Sequence, residues 1–418
     1  MTPTTRRRVT GTLGVVGVLA VYALGVWALY HPLGLLDPAR ITSETAGGCG
    51  CTDNGQGLWL LAAQRARLVS GHLPFFTRSV NWPAGVNLLD TASFPLLATL
   101  AAPLTGAVGP TATLALLFRL GTFASATAAF GALRRVGLRL TAAALGGAVY
   151  GFSPFMLRQA GDHLFLTWVP LPPLILLIVY RRLTGAGGPS PRPASWLWHG
   201  GGPAVGGLLV VQGLIDIEVA ASTVVMAVLV AGLIGLWRVI RRRPVRAGLV
   251  AAGRLAGGAA LVALPLLAYP AWYLLAGPQH ISGTPSPRGA FAIGLLATLI
   301  PDGRNVVAGL WSGVDLPSPG FVTNMGFVGI PTLAVLVWIV MRGRRQTLVA
   351  AATLLGVAGW VLAIGPRLRF GTGAHAVRLP LPFAALDRLP VIGGLITNRF
   401  TLWMDLSMAV LLAVGADS

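Results

Sequence analysis

The chain has 418 residues, 55% hydrophobic and only 10% charged, so it cannot cover a water-facing surface with polar groups and does not belong to the soluble globular class. All 31 basic residues are Arg against 12 acids, a formal net charge of +19. In a soluble protein that excess would favour nucleic-acid binding. Here the arginines cluster at the ends of apolar runs, where positive residues hold loops in the cytoplasm, so the lipid bilayer replaces nucleic acid as the expected partner.

In chain order, the apolar runs predict an all-α integral membrane protein with about ten spans, each near the ~20 residues needed to cross the hydrocarbon core. The first runs from Val9 to Tyr30 behind Arg6, Arg7 and Arg8, which places the N-terminus in the cytoplasm. It is too long for the h-region of a cleavable signal peptide and no small-x-small site follows it, so a retained anchor is expected. Further spans are expected over Thr111 to Leu133, Thr141 to Met156, Leu164 to Tyr180, Trp196 to Leu214, Val219 to Trp237, Leu249 to Leu275, Phe321 to Met341, Thr347 to Ile364 and Phe400 to Val414. The whole of 1–418 reads as one polytopic domain in the cell membrane, with a large first extracytoplasmic loop over 31–110 and further outer loops over 277–320 and 366–399.

The stretch Thr91 to Val108 is apolar enough to cross, but Pro95, Pro103 and Gly106 interrupt it. If it spans, the clusters around Arg134, Arg181, Arg241 and Arg344 all point outward; if it lies in the interface or dips in and returns, all four face the cytoplasm. The interfacial or re-entrant reading follows. It leaves ten of the twelve acids outside, namely Asp37, Glu44, Asp53, Asp90, Asp162, Asp216, Glu218, Asp302, Asp315 and Asp387. The inner loops are short and purely basic, and no Walker-type phosphate loop occurs, so an ATP-driven machine is not expected.

The first outer loop opens with Gly47-Gly48-Cys49-Gly50-Cys51-Thr52-Asp53-Asn54-Gly55. Leu58 to Val69 reads as a surface helix with Leu58, Ala62 and Val69 on one face and Gln64 and Arg67 on the other. Asn81-Trp82-Pro83-Ala84-Gly85 follows. The 277–320 and 366–399 loops are rich in Pro and Gly, and three outer loops of this size form a roof over the bundle.

A first span, a large outer loop with an acid near its start, a surface helix, the turn Trp82-Pro83-Ala84-Gly85 and a second outer acid in Arg158-Gln159-Ala160-Gly161-Asp162-His163 come in an order that resembles the glycosyltransferase C superfamily. Leu389-Pro390 followed by Asn398-Arg399-Phe400 resembles the late Pro…Arg-Phe element of its bacterial members. The resemblance implies a polytopic enzyme that moves a sugar from a polyprenyl-phosphate donor to a glycan, lipid or protein acceptor outside the cytoplasm. Two features depart from the pattern. Asp53 stands alone where many members carry two adjacent acids, and the chain ends at Ser418 just after a span where relatives commonly continue, so a short form or a missing part of the gene is expected.

Sugar transfer to a hydroxyl needs a base, and a carboxylate in a partly dry cavity is expected to have raised basicity. Asp53 is assigned that role and Asp162 the second catalytic carboxylate. His163 is expected to orient the acceptor or join a site for a divalent cation, while Arg158 and Arg399 stabilise the leaving phosphate and Asn81 and Trp82 contact substrate. Each has a plainer structural alternative. Asp53 and Asp162 also suit helix starts, and Arg399 suits an interfacial anchor. Gln212, Asp216 and Glu218 fit a solvated interhelical turn.

The other signals carry less. A bridge between Cys49 and Cys51 would be strained, and His72, His280 and His375 lack zinc-ligand spacing. The twelve Trp, among them Trp27, Trp59, Trp272 and Trp311, suit interfacial belts. Two other functions compete with the enzyme. A transporter or flippase of lipid-linked glycans predicts charges deep in spans, where only Arg119, Arg254 and Asp405 occur, each near an end. A non-catalytic cell-envelope assembly protein predicts no turnover.

Overall fold

In lipid no water satisfies the peptide groups, so long apolar runs close their hydrogen bonds internally as helices. The computed structural model describes residues 3–31, 53–91, 93–185, 201–240, 242, 246–282, 291–299, 324–370, 377–389 and 392–418. The elements run α1 (Pro3–Tyr30), α2 (Asp53–Val69), β1 (Phe76–Thr77), β2 (Val86–Asn87), α3 (Pro95–Val136), α4 (Leu140–Gly151), α5 (Pro154–Gln159), α6 (Leu164–Thr167), α7 (Leu171–Thr184), α8 (Gly202–Ile215), α9 (Ile217–Ile240), α10 (Arg246–Ala276), α11 (Ile330–Gly343), α12 (Thr347–Ala363), β3 (Arg367–Phe370), β4 (Val377–Pro380), α13 (Phe383–Leu386) and α14 (Thr401–Asp417). Among the described residues, six helical segments are long and apolar enough to cross a membrane: Gly11–Tyr30, Pro95–Val136, Leu140–Gln159, Ile217–Ile240, Arg246–Ala276 and Thr397–Asp417. The protein is an all-α, multi-pass integral membrane protein.

Several expected boundaries move, each for a local reason. The expected span Leu164 to Tyr180 is broken: α6 is one turn long and α7 restarts at Leu171, because Pro170, Pro172 and Pro173 cannot donate to a preceding turn. The expected span Thr141 to Met156 falls within the candidate span Leu140–Gln159, but its helix is interrupted after Gly151, and α5 begins afresh where Ser153 caps Met156 N–H and Pro154 takes the first helical position. Of the described residues in the expected Phe321 to Met341 span, α-helix begins only at Ile330 and runs on to Gly343, with a 3₁₀ turn over Asn324–Gly326 before it. The surface helix begins five residues earlier than expected, at Asp53, and its faces are reassigned: Asn54, Gly57, Leu60, Leu61 and Gln64 are buried while Val69 is exposed. Gln64 turns inward and donates to the Pro74 carbonyl at 3.5 Å. The β3–β4 hairpin, which pairs Arg367 with Pro380, was not foreseen. The Cys49/Cys51 segment and the start of the expected span at Trp196 lie outside the described residues.

The ambiguous stretch is helical. Pro95 starts α3, which bends at Gly109, where φ +82° and ψ 164° are outside the helical range and open to glycine. Phe94 and Leu114 line the same cleft although the bend lies between them, and Arg65 of α2 packs on Gly106 near it. The two legs of α3 thus both reach this cleft from either side of the bend at Gly109.

Between α1, α3, α4 and α14 the packing relies on small residues, as helix contacts in lipid do. A Cβ on Gly147 would stand 2.8 Å from the Ala126 carbonyl oxygen, and one on Gly146 2.9 Å from that of Ala409. Either would push α4 off its neighbours. The core of this layer includes Tyr22, Phe130, Leu133, Val349 and Leu411.

Charge is sorted along the bundle. At one end Arg139 pairs with Asp417 at 3.2 Å, Arg181 donates to the Arg135 carbonyl at 2.6 Å, Arg182 faces Arg246 and Arg254 across a cleft, and Ile339, just before Arg342, packs on Gly415. At the other end lie Asp53, Asp162, Asp216 and Glu218, together with Asp90, whose carboxylate accepts from Ile281 N–H at 3.1 Å. An aromatic group of Phe75, Tyr269, Trp272 and Tyr273 stands at that same end of α10, with ring centroids 5.7–6.1 Å apart.

Candidate functional site

The site is built where α2 begins and α5 ends. Phe155 N–H at the start of α5 is held by the Asp405 carboxylate of α14 at 3.0 Å, and Asp405 is buried, so α5 is fixed from below. The chain leaves α5 at Gln159 and turns through Ala160, Gly161 and Asp162 before His163 precedes α6. The Asn54 amide donates to the Gly161 carbonyl and ties the first turn of α2 to this turn. His163 Nε2 then lies 2.6 Å from Asp53 Oδ2. On its other side His163 Nδ1 is 3.7 Å from Asp162 Oδ2, and Arg158 Nη1 is 3.8 Å from the same oxygen.

A second charged group faces this one. Arg399, in the 3₁₀ turn Thr397–Phe400 that leads into α14, is ion-paired with Glu218 at the start of α9. Its guanidinium lies 5.6 Å from the centroid of the Phe165 ring, and that ring meets the His163 ring edge to face at 6.0 Å. Phe165 is therefore the wall between an imidazole–carboxylate group and an arginine–carboxylate group. Beside Glu218, Asp216 is 6% exposed and accepts from Val219 N–H at 2.6 Å.

These surroundings set the charge states. The hydrogen bond from His163 holds the Asp53 carboxyl below its ordinary range, and the charges of His163 and Arg399 act in the same direction against partial burial. The expected raised basicity of Asp53 is thus corrected. A 44% exposed side chain with a direct donor is stabilised as the anion. Asp216 moves the other way: burial, reinforced by the Glu218 charge, pushes it up to about 6 against the pull of Arg399.

Of the residues singled out in the sequence, Asp53, Asp162, His163 and Arg158 come together, with Arg399 across Phe165. Asn81 and Trp82 do not join them. They occupy the tip of the β1–β2 hairpin, where Asn81 closes the turn on the Gly85 carbonyl at 3.0 Å and Trp82 is 78% exposed. Asp216, Glu218 and Gln212 are not the solvated turn that their spacing suggested: Asp216 and Gln212 are buried and Glu218 holds Arg399. Their four-residue spacing next to a helix junction was visible, but the partner stands 181 residues away. Sequence reasoning also passed over Phe165 and the buried Gln159 and Asn398, which flank Arg158 and Arg399 in the chain. The side-chain oxygens of Gln159 and Asn398 have no hydrogen-bond partner among the described residues.

The oxygens of Asp53 and Asp162 and a ring nitrogen of His163 lie within 4.8 Å of one another, a donor set suited to a hard or borderline divalent cation. A narrow cleft lined by Asp53, Asn54, Gln56, Gly57, Phe94, Leu114, Asp162, Leu164 and Phe165 leads to them. Such an arrangement can deprotonate a hydroxyl on one side of Phe165 and neutralise an anion on the other.

Known structures bear on the fold. The chain is similar to ArnT from Cupriavidus metallidurans, solved bound to undecaprenyl phosphate, with a TM-score of 0.50 and 15% identity over 96% of this chain and 60% of that one. The archaeal oligosaccharyltransferase AglB from Archaeoglobus fulgidus, solved with an inhibitory peptide and a dolichol-phosphate, aligns with a TM-score of 0.49 and 13% identity over 96% of this chain and 50% of that one. The chain thus spans well under two thirds of the length of either. No curated protein matches the sequence. A family model does match, over residues 19–392, and the chain belongs to the family it describes, a domain of unknown function named DUF6311.

Proposed function

We propose that the protein is a membrane glycosyltransferase that moves a sugar from a polyprenyl-phosphate donor to an acceptor hydroxyl, at the carboxylate-bearing end of the bundle and outside the cytoplasm. One observation carries the proposal: Asp53, at the start of α2, and Asp162-His163, after α5, meet within hydrogen-bond reach beside Arg399. The fold shared with ArnT, which was solved with undecaprenyl phosphate, supports the donor class.

In this mechanism the acceptor hydroxyl lies against Asp53 and the donor phosphate against Arg399. The bond between the sugar anomeric carbon and the phosphate oxygen breaks, the acceptor oxygen takes its place on that carbon, the hydroxyl proton passes to Asp53, and the polyprenyl phosphate leaves with the bonding electrons. Because Asp53 is held as the anion, it is always ready to accept but is a weak base in the ground state. Proton transfer therefore follows the breaking of the glycosyl bond. Arg399 offsets the charge that grows on the phosphate, and Glu218 keeps its guanidinium in place beforehand. Asp162 and His163 orient the acceptor. Should a divalent cation bind at Asp53, Asp162 and His163, it would supply Lewis-acid polarisation there, and chelator sensitivity would reveal it.

The test incubates the purified full chain in liposomes with a panel of radiolabelled polyprenyl-phosphate sugars and acceptors. Transfer is expected from at least one donor, with a drop on the order of 10³-fold in Asp53→Asn while elution and helicity stay unchanged. Full activity in that variant removes the mechanism, and silence of the unaltered chain across the panel favours the transporter or flippase reading.

A further inference from the structure

At the arginine end, a cleft of about 710 Å³ opens between α7 and α10, lined by Arg182, Arg246, Ala247, Val250, Ala251, Arg254 and Leu255. We infer that this cleft binds the phosphate headgroup of an anionic phospholipid from the leaflet at that end. Three arginines and no acid line it, so its field calls for an anion. The other lining side chains are apolar, as a wall against acyl chains must be.

The position of the cleft favours a lipid over a soluble anion. One face of α10 packs on α8 through Gly258 and Ala259, while Arg246, Ala247, Val250 and Arg254 of the cleft are exposed, so the cleft opens on the outer surface of the bundle where lipid can reach it. Arg254 stands eight residues along the helix from Arg246, about 12 Å closer to the apolar interior. An unpaired guanidinium at that depth is costly, and it persists where a counter-ion reaches it. Among the described residues none of the three arginines meets a carboxylate, whereas Arg139 and Arg399 each do. A headgroup phosphate between Arg246 and Arg254, with Arg182 closing from α7, supplies that counter-ion. This inference stands apart from the proposed transfer reaction, since it concerns the opposite end of the bundle.

The test reconstitutes the full chain in phosphatidylcholine vesicles carrying trace spin-labelled phosphatidylglycerol or spin-labelled phosphatidylcholine, and compares the motionally restricted fraction of each. Phosphatidylglycerol should be enriched next to the protein, and the enrichment should fall by about fivefold for each guanidinium removed in the series Arg254→Gln, Arg246→Gln and Arg182→Gln. The triple change Arg342→Gln, Arg344→Gln and Arg345→Gln should leave it intact. In the unaltered chain a photoreactive phosphatidylglycerol should label the peptide around Val250, which tests the site even where a variant fails to fold. Equal enrichment after loss of the three cleft arginines, labelling elsewhere, or displacement by millimolar inorganic phosphate at constant ionic strength would overturn the inference, the last by showing a free anion as the ligand.

Discussion

The two ends of this bundle use charge in opposite ways. At the carboxylate end Asp53, Asp162, Glu218, His163, Arg158 and Arg399 pair at short range, two of the pairs (His163 with Asp53 and Arg399 with Glu218) joining distant parts of the chain. At the arginine end, Arg182, Arg246 and Arg254 share one cleft without an acid. A paired network fixes geometry, and an unpaired one attracts a counter-ion. The first suits the proposed transfer reaction, and the second suits the inferred lipid site.

The largest expected effect comes from exchanging the ends. Arg399→Ala should lower transfer by roughly 10²- to 10³-fold, because it removes the phosphate partner and leaves Glu218 unpaired, whereas Arg345→Ala, at the other end, should leave turnover within about twofold of normal. Equal losses in both would erase the distinction. Next comes Asp405→Ala, which strands the buried Phe155 N–H; it should cost about 1–3 kcal/mol in denaturant unfolding, and Asp405→Asn should recover part of that because an amide oxygen still accepts. An unchanged midpoint in Asp405→Ala would show that α5 is held by packing alone.

A smaller effect should appear with pH. Asp216 binds its proton more tightly in the folded chain, so its contribution to stability is full below the ordinary carboxyl pKa of about 3.9 and is lost as pH rises through about 6. Thermal midpoints of the unaltered protein should therefore decline between pH 4 and pH 7 by more than those of Asp216→Asn, and parallel curves would count against the buried carboxyl. The smallest change is expected from Trp82→Ala. The indole is 78% exposed at a hairpin tip, so turnover should stay within about twofold of normal, and a collapse of turnover would bring the hairpin into the site after all.

Much of this was legible from residue order. The Arg clusters gave the membrane class, and the sequence run Arg158 to His163 already contained the partner of Asp53, His163. What stayed hidden shares one physical trait: it depends on contacts that periodicity does not encode. Apolar composition cannot show where Pro170 and Ser153 break a helix, since lipid accepts the residues on either side equally well. Gln64 looked like a solvent-facing residue because its inward partner is a loop carbonyl, Pro74. Glu218 looked like part of a turn because Arg399 is far away in sequence. The basicity of Asp53 was misjudged for the same reason: burial was foreseen, and the donor that outweighs it was not assigned to that carboxylate.

The dependence of α5 on Asp405 has a further consequence for biogenesis. Glu218 and the turn from Gln159 to His163 leave the ribosome long before Arg399 and Asp405, so a nascent chain carries Glu218 without its cation and the turn without the clamp that seats it. The paired geometry is complete only once the helix from Thr401 to Asp417 enters the bundle. Under the proposed function a half-inserted molecule would be unable to transfer sugar, so the order of synthesis would itself keep a lipid carrier from premature attack.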